Sequence, residues 1–323
     1  MPSFEIIRRS LAIAGWMQHG SILHMDGTGF PASGTAGDGA GYANKGSVYY
    51  DKTRGTKWVN TGSQASPYWQ PQGTNQTGMW GIDADFRETQ STALSDTTAA
   101  LFNAATGLRM FGQGMTETDS GAIEAAAGEG GKNLTMTTTD EAAHTIAIGT
   151  AAGVYQPDTH GMAIVEAYVT QSVAITLRGQ GIGFVGLAAD AFDPPITCAT
   201  TVATLIQDDL ALLHFNVGYT ATDGYKLASN KSDEAPTMTA QAAGVAVAAA
   251  GTFQLLRVEV EPVGTAVIMR AFIDKVLVGT IADALDEDEE ASPILYIEST
   301  SAAVKTQSVK RFMFITGNPV AAA

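Results

Sequence analysis

The clearest pattern of hydrophobic and polar positions lies in residues 253–261, where apolar and charged side chains alternate one by one. Leu256, Val258 and Val260 are the apolar positions of this run, and Arg257, Glu259 and Glu261 are the charged ones. Because successive side chains of a strand point to opposite faces, a period of two predicts a half-buried β-strand. We expect its apolar face in a core and its charged face in water.

Strand-like runs of similar length recur along the chain between turn signals. The predicted strands are 133–138, 144–149, 161–170, 173–178, 182–187, 201–207, 210–217, 253–260, 266–274, 276–281, 294–298 and 309–315. Residues 91–108 could include one short helix, but no convincing helix separates the strands. This pattern indicates an all-β protein, an antiparallel β-sandwich or jelly roll, and not a parallel α/β sheet.

The first 80 residues differ in composition from the rest of the chain, because they are rich in glycine and aromatic residues. The segment 34–46 is too rich in glycine to hold regular structure and is predicted to be a loop. Residues 47–60 read as a β-hairpin with a four-residue loop at 52–55. We therefore divide the chain into an N-terminal anchoring or oligomerising region, 1–80, and a jelly-roll sandwich domain, 81–323.

Charge and cysteine content narrow the classes of function. The chain has 18 Lys and Arg against 33 Asp and Glu, which gives a formal net charge of −15. Such a field repels phosphate, so we expect no binding partner among nucleic acids and no anionic membrane surface. Cys198 is the single cysteine, so no internal disulfide forms. No apolar run approaches the roughly 20 residues of a membrane-spanning helix, and we expect a soluble chain without a signal peptide.

The spacing Gly181-x-Gly183-x-x-Gly186 matches the dinucleotide-binding fingerprint in form. That fingerprint requires a helix that begins at the motif, whereas residues 182–187 are strand-like and Pro194 would stop a helix early. We interpret the glycines as part of a core strand that bends or packs closely against a neighbour. No nucleotide cofactor is predicted.

Glu259 and Glu261 share one face of the 253–261 strand and lie about 6.6 Å apart along its backbone. Two carboxyl groups about 5–9 Å apart could serve as the acid and the nucleophile or base of a glycosidase. A general acid of this kind needs an apolar pocket, and Arg257 on the same face favours a solvated surface instead. We expect an exposed strand face here and predict no catalytic residue.

Candidate metal ligands do not fall into a recognisable spacing. The acidic run 286–290 lacks the sixth-position glycine and the final glutamate of an EF-hand loop, so we interpret it as a solvated loop. Four other acids could form an oxygen cluster if the sheets bring them together, namely Asp190, Asp193, Asp208 and Asp209. The histidines are scattered, at His19, His24, His144, His160 and His214. We predict no metal site and no other cofactor.

One family resemblance rests on a pattern in residues 41–69. The pattern consists of Gly41, Lys45-Gly46, Tyr49, Asp51, Gly55, Trp58, Asn60-Thr61-Gly62, Ser66-Pro67 and Trp69. It resembles a hairpin module of tailed-bacteriophage virion proteins, typically head decoration or fibre proteins. Residues 161–317 resemble the concanavalin-like jelly roll of the same phage proteins. Because the Asp274-Lys275 turn lacks the glycine usual after that acid in these phage proteins, we expect a hairpin longer than in those relatives.

The resemblance implies a noncatalytic structural protein of the virion that decorates and stabilises the outer capsid surface. It further implies a homo-oligomer, by analogy a trimer, with the major capsid protein as its partner. Candidate contact residues for the oligomer, the capsid or a host-surface glycan are Tyr49, Trp58, Trp69 and Trp80. Negative charge and a closed sandwich suit a shell protein at high local concentration.

Two other functions stay open from the sequence. A carbohydrate-binding module or tail-fibre adhesin would stack sugars on Trp58 and Trp69, because jelly rolls often bind sugars and aromatic rings offer flat apolar faces. A glycan hydrolase would use Glu259 or Glu261 as its acid or base.

Overall fold

A computed structural model describes residues 17–19, 22–73, 79–84, 92–94, 101–103, 108–113, 121–128, 131–138, 144–150, 154–171, 179–186, 209–216, 224–231, 237–240, 245–247, 249, 251–299 and 306–317. These residues form β-strands and one short helix, α1 (Pro157–His160). No helix among them is long and apolar enough to cross a membrane. The chain divides into two compact units, one of Met1–Gly81 with 275–277 and 315–323, the other of Ile82–Asp274 with 278–314.

The N-terminal unit contains a five-stranded sheet in which the strands follow one another in chain order. Its strands are β1 (Met17–His19), β2 (Ile22–Gly27), β3 (Val48–Asp51), β4 (Thr56–Asn60) and β5 (Trp69–Pro71). Strands β2 and β3 are parallel, and the other neighbours are antiparallel. Strands β3 and β4 pair from Val48 opposite Val59 to Asp51 opposite Thr56. The predicted 47–60 hairpin and its four-residue loop are confirmed.

Asn60 ties the end of this hairpin to the loops on either side of it. Its side-chain Nδ2 donates to the carbonyl of Ala43 at 2.6 Å, and its Oδ1 accepts from the backbone N–H groups of Gly62 and Tyr68, both at 2.8 Å. The Asn60 side chain thus satisfies backbone groups that have no partner in the sheet. These hydrogen bonds hold the backbone of the two loops in place, as the hydrogen bonds between strands hold a sheet.

Aromatic rings fill the core of the N-terminal unit. Trp58 lies 4.8 Å from Phe30, and Tyr49 lies 5.9 Å from Trp69, measured between ring centroids. The indole of Trp58 donates to Thr56 and that of Trp69 to the carbonyl of Asp38, so both N–H groups are satisfied. The large rings supply most of the apolar burial that this small sheet needs.

The second unit is an antiparallel β-sandwich, which confirms the predicted fold class. Its first sheet has the order β20-β19-β18-β13-β22-β11-β10-β7, with a further strand, β6, beside β22. The ranges are β6 (Met79–Ala84), β7 (Thr92–Leu94), β10 (Gly121–Gly128), β11 (Gly131–Thr137), β13 (Ala163–Gln171), β18 (Gln254–Val263), β19 (Ala266–Ile273), β20 (Val276–Ile281) and β22 (Thr306–Gly317).

The second sheet has the order β17-β16-β15-β14-β21-β12-β9-β8. Its ranges are β8 (Leu101–Asn103), β9 (Leu108–Gln113), β12 (His144–Gly149), β14 (Gly179–Gly186), β15 (Leu210–Asn216), β16 (Lys226–Asn230), β17 (Thr237–Ala240) and β21 (Ala291–Ser299). The chain passes repeatedly between the two sheets, as in a jelly roll. Alternate side chains of both sheets, such as Val165, Val258, Ile182 and Leu295, form one buried core.

Residues 92–94 and 101–103 are strands, so the short helix that the sequence allowed within 91–108 is not formed at these positions. The β19–β20 hairpin turns on two residues, Asp274 and Lys275, with φ of 49° and 71°. The hairpin is therefore short, and two non-glycine residues adopt the left-handed conformation of a tight turn. The predicted strands 173–178 and 201–207 lie outside the described residues.

We predict that Asn60→Ala destabilises the N-terminal unit by about 2–4 kcal/mol, because two buried or part-buried N–H groups lose their acceptor. Urea unfolding monitored by tryptophan fluorescence measures the change, since Trp58 and Trp69 lie in this unit. Gln72→Ala, at an exposed position after β5, is the matched control and should stay within about 0.5 kcal/mol. Equal stability of the two variants would show that Asn60 does not organise the loops.

Candidate functional site

The charged face of β18 is buried, so the expectation of a wet strand face is wrong for Arg257 and Glu259. Both side chains have no exposed surface. Strand β13 pairs with β18 and places Glu166, itself 2% exposed, directly opposite Arg257. The Arg257 guanidinium lies 2.6 Å from a Glu259 carboxylate oxygen and 3.5 Å from one of Glu166. These carboxylates balance a cation that the alternation alone would place in water.

The charged groups continue toward the edge of the face as an alternating series. Arg311 on β22 lies 3.2 Å from a Glu166 oxygen, and its guanidinium binds both oxygens of Asp83 on β6 at 2.7 and 2.9 Å. The side chains of Arg311 and Asp83 are 36% and 35% exposed. We call the series Glu259, Arg257, Glu166, Arg311, Asp83 the ion-pair chain. It runs from a buried end to a solvated end across four strands.

Burial explains why the chain alternates in sign. A charge removed from water costs several kcal/mol unless an opposite charge and hydrogen bonds replace the solvent. Each arginine of the ion-pair chain has a carboxylate on both sides, which reduces that cost. Removing one partner from the buried end would leave the others without compensation.

This arrangement does not suit the glycosidase alternative. A general acid must be reached by its substrate, whereas Glu259 is enclosed beside Arg257. Glu261, two residues on, is paired with Arg270 at 2.7 Å. The carboxylates nominated for catalysis thus each contact an arginine, and the buried one is not accessible.

An aromatic platform adjoins the ion-pair chain on the same face. We use this name for Tyr168, Phe253 and the ammonium group of Lys310. The two rings lie 5.0 Å apart, and the Lys310 ammonium lies 3.8 Å from the centroid of Phe253 and 5.8 Å from that of Tyr168. Tyr168 is 37% exposed and follows Glu166 by two residues on β13. The ring of Tyr168 is accessible and that of Phe253 is half-buried, unlike the buried rings proposed from the sequence.

The predicted contact residues of the N-terminal unit lie in its interior. Tyr49 is 3% exposed, and Trp58 and Trp69 have no exposed surface. These three residues therefore offer no face to a partner, and sugar stacking on the two tryptophans is not supported. The side chain of Trp80 lies outside those described. Tyr50, beside Tyr49 on β3, is the residue that points outward, with 47% exposed.

Glycines of the second sheet allow close packing, as interpreted from the sequence. A methyl group at Gly181 would collide with the ring of Tyr296 on β21, and one at Gly183 would collide with the backbone of β15. His214 on β15 lies on the other side of Gly181 in the sheet. Burial lowers the pKa of His214 to about 3, with a smaller effect of Lys226 in the same direction. Its imidazole is therefore uncharged at neutral pH.

The acidic run 286–290 belongs to a loop after β20, and Asp286 forms an ion pair with Lys231. Lys231 contacts Asp283 at 2.8 Å and Asp286 at 3.3 Å. The hydrogen bond from Lys231 to Asp283 raises the pKa of that lysine above its ordinary value. Within the described part of the chain, no three His, Cys, Asp or Glu side chains form a group that could hold a metal ion. Asp190, Asp193 and Asp208 lie outside it.

Comparison with known proteins identifies no family for this chain. No family model matches it, and no curated protein matches it in sequence. Among solved structures, a protein of unknown function from Shewanella oneidensis MR-1 is 12% identical with a TM-score of 0.47, covering 76% of this chain and 89% of the other.

Two further solved structures carry names related to carbohydrates. An endo-1,3-beta-glucanase from Streptomyces sioyaensis is 14% identical, with a TM-score of 0.45 and coverage of 76% of this chain and 99% of its own. The carbohydrate recognition domain of Emp47p is 10% identical, with a TM-score of 0.44 and coverage of 73% and 97%. At these identities, no binding or catalytic residue is transferred to this chain.

We predict that Arg257→Ala destabilises the sandwich by about 3–5 kcal/mol, because buried Glu259 loses the arginine beside it and buried Glu166 keeps only Arg311. Arg270→Ala is the matched control. It removes an arginine from the same face, but its pair with Glu261 is partly exposed, so the loss should be about 1 kcal/mol or less. Chemical denaturation followed by far-UV circular dichroism compares the two. Similar losses for both variants would contradict a special role of the buried pair.

Proposed function

We propose that this chain is a noncatalytic structural protein of a tailed-phage virion, bound to the major capsid protein on the outer capsid surface as a homo-oligomer, most simply a trimer. The N-terminal unit would anchor or oligomerise the protein, and the sandwich would face the solvent. Neither a cofactor nor a nucleic acid or membrane partner is part of this proposal. It rests on the resemblance of residues 41–69 to a phage virion module.

The observation that carries this proposal is that the residues of the 41–69 pattern form the turns and the loop hydrogen bonds of one folded unit. Gly41, Gly46 and Gly55 have φ of 82°, 91° and 68°, which favour glycine. Asn60 organises the loops after the hairpin. The pattern thus encodes one specific small folded unit, and the proposal rests on the resemblance of that unit's sequence to a phage virion module.

The ion-pair chain supports a role without catalysis. Glu166 and Glu259 neutralise the buried Arg257, and Asp83 continues the series at a partly exposed position. Such carboxylates stabilise a fold and are poor candidates for proton transfer to a substrate. The strongly acidic composition suits a protein displayed in many copies on a particle, because like charges oppose aggregation.

We predict that purified particles of the phage that encodes this chain contain it in copy numbers comparable to those of capsid shell proteins. Quantitative mass spectrometry of density-purified particles, with the major capsid protein as internal standard, provides the count. Absence from the particle, or presence in only a few copies, would contradict decoration of the capsid.

The aromatic platform favours glycan binding as a second candidate function. Exposed rings stack on the apolar faces of sugar rings, and nearby charged groups bind hydroxyl groups. Tyr168 offers such an exposed ring, and the half-buried ring of Phe253 lies beside it, next to Lys310 and Arg311. The carbohydrate-binding alternative therefore moves from the buried tryptophans to this face of the sandwich.

If glycans bind there, Tyr168→Ala/Phe253→Ala should weaken retention on a glycan array at least tenfold, because each ring contributes on the order of 1 kcal/mol. Phe30→Leu in the N-terminal unit is the control and should leave retention unchanged. Thermal unfolding confirms that the variants are folded. A wild-type chain that retains no glycan, or a double variant that binds as well as wild type, would remove this candidate.

A further inference from the structure

The outward face of the N-terminal sheet carries apolar, polar and charged side chains. Side chains that alternate with the buried aromatic rings lie on this face in two cross-strand rows. The first row is His24, Val48, Val59 and Gln70, and the second is Asp26, Tyr50 and Lys57. None of these side chains is buried, and Tyr50 at 47% and Ile22 at 38% are well exposed.

Apolar groups occupy the middle of this face. Val48 and Val59 are opposite each other, and Tyr50 lies opposite Lys57 in the neighbouring row. The acid at one end, Asp26, is already held by Lys52 at 2.6 Å. Exposed aromatic and aliphatic side chains that adjoin one another are typical of a surface that meets another protein. We call residues Ile22, Val48, Tyr50, Lys57 and Val59 the module face.

The two parts of the chain carry opposite net charges. Residues 1–80 contain six Lys and Arg and four Asp and Glu, whereas residues 81–323 contain twelve Lys and Arg and 29 Asp and Glu. The first part is therefore weakly positive, and the second part carries all of the excess negative charge. Two sandwiches repel each other, but the N-terminal unit of one copy is attracted by the sandwich of another.

We propose that the module face binds the sandwich domain of a second copy of this chain, which carries the excess negative charge. This inference rests on the proposed function, because it names the contact that would hold the oligomer together. Such a contact joins different surfaces of two copies and is heterologous. Heterologous contacts form a closed ring when the rotation between copies closes, which is the symmetry of a cyclic trimer.

The test measures molar mass by light scattering during size-exclusion chromatography of the full chain, over a range of concentrations, in 50 mM and 500 mM NaCl. We expect a trimer at low salt and dissociation at high salt, because screening weakens the attraction. Tyr50→Ser/Lys57→Glu should raise the dissociation constant at least tenfold. Because both positions are exposed, we expect the variant to stay folded, and thermal unfolding checks this.

Tyr42→Ser/Lys45→Glu is the matched control. It makes the same change in charge and also removes an exposed tyrosine, 62% accessible, in the same unit but outside the strands of the module face. It should weaken the trimer less than the module-face variant does. A wild-type monomer under all conditions would overturn both the proposed oligomer and this interface. A wild-type oligomer that the module-face variant does not weaken would overturn the interface alone. A variant that stays trimeric but loses binding to isolated capsids would assign the module face to the capsid instead.

Discussion

The pairing of buried charges on the first sheet constrains both the stability and the function of this protein. Arg257 is fully buried on the face of strand β18 opposite to the core residues Leu256, Val258 and Val260. It would be strongly destabilising without Glu166 and Glu259 beside it. The strands that carry these three residues must therefore keep their register. The catalytic candidates Glu259 and Glu261 are each paired with an arginine. The accessible surfaces of the chain are therefore the better place to look for its function.

The N-terminal unit solves a different physical problem. A sheet of this size buries little apolar surface, so it depends on large rings and on side chains that satisfy loop backbone groups. Trp58, Trp69 and Asn60 provide these interactions from positions inside one short pattern. Because these residues lie close together in the sequence, their pattern can be recognised without the structure. Because the rings are buried, they cannot serve as binding residues at the same time.

Strand positions could be predicted well from the sequence, because alternation and turn residues are local signals. Strands 144–149 and 276–281 have the predicted bounds, and the 47–60 hairpin has its predicted loop. The environment of the charged face could not be predicted, since alternation shows which side chains share a face but not what covers them. Glu166, a single acid within an apolar strand, was the available signal. The inward direction of Trp58 and Trp69 likewise depends on packing between segments distant in sequence.

The most direct measurement replaces the buried charges together, as Glu166→Gln/Arg257→Met/Glu259→Gln, and compares the variant with wild type in binding to isolated capsids. Removing all three charges at once leaves no uncompensated ion, so the fold should be retained. If the protein acts through its surfaces, the folded variant binds capsids as wild type does. A folded variant that has lost capsid binding, or a glycan-cleaving wild type whose turnover the variant abolishes, would contradict a purely structural role for these residues.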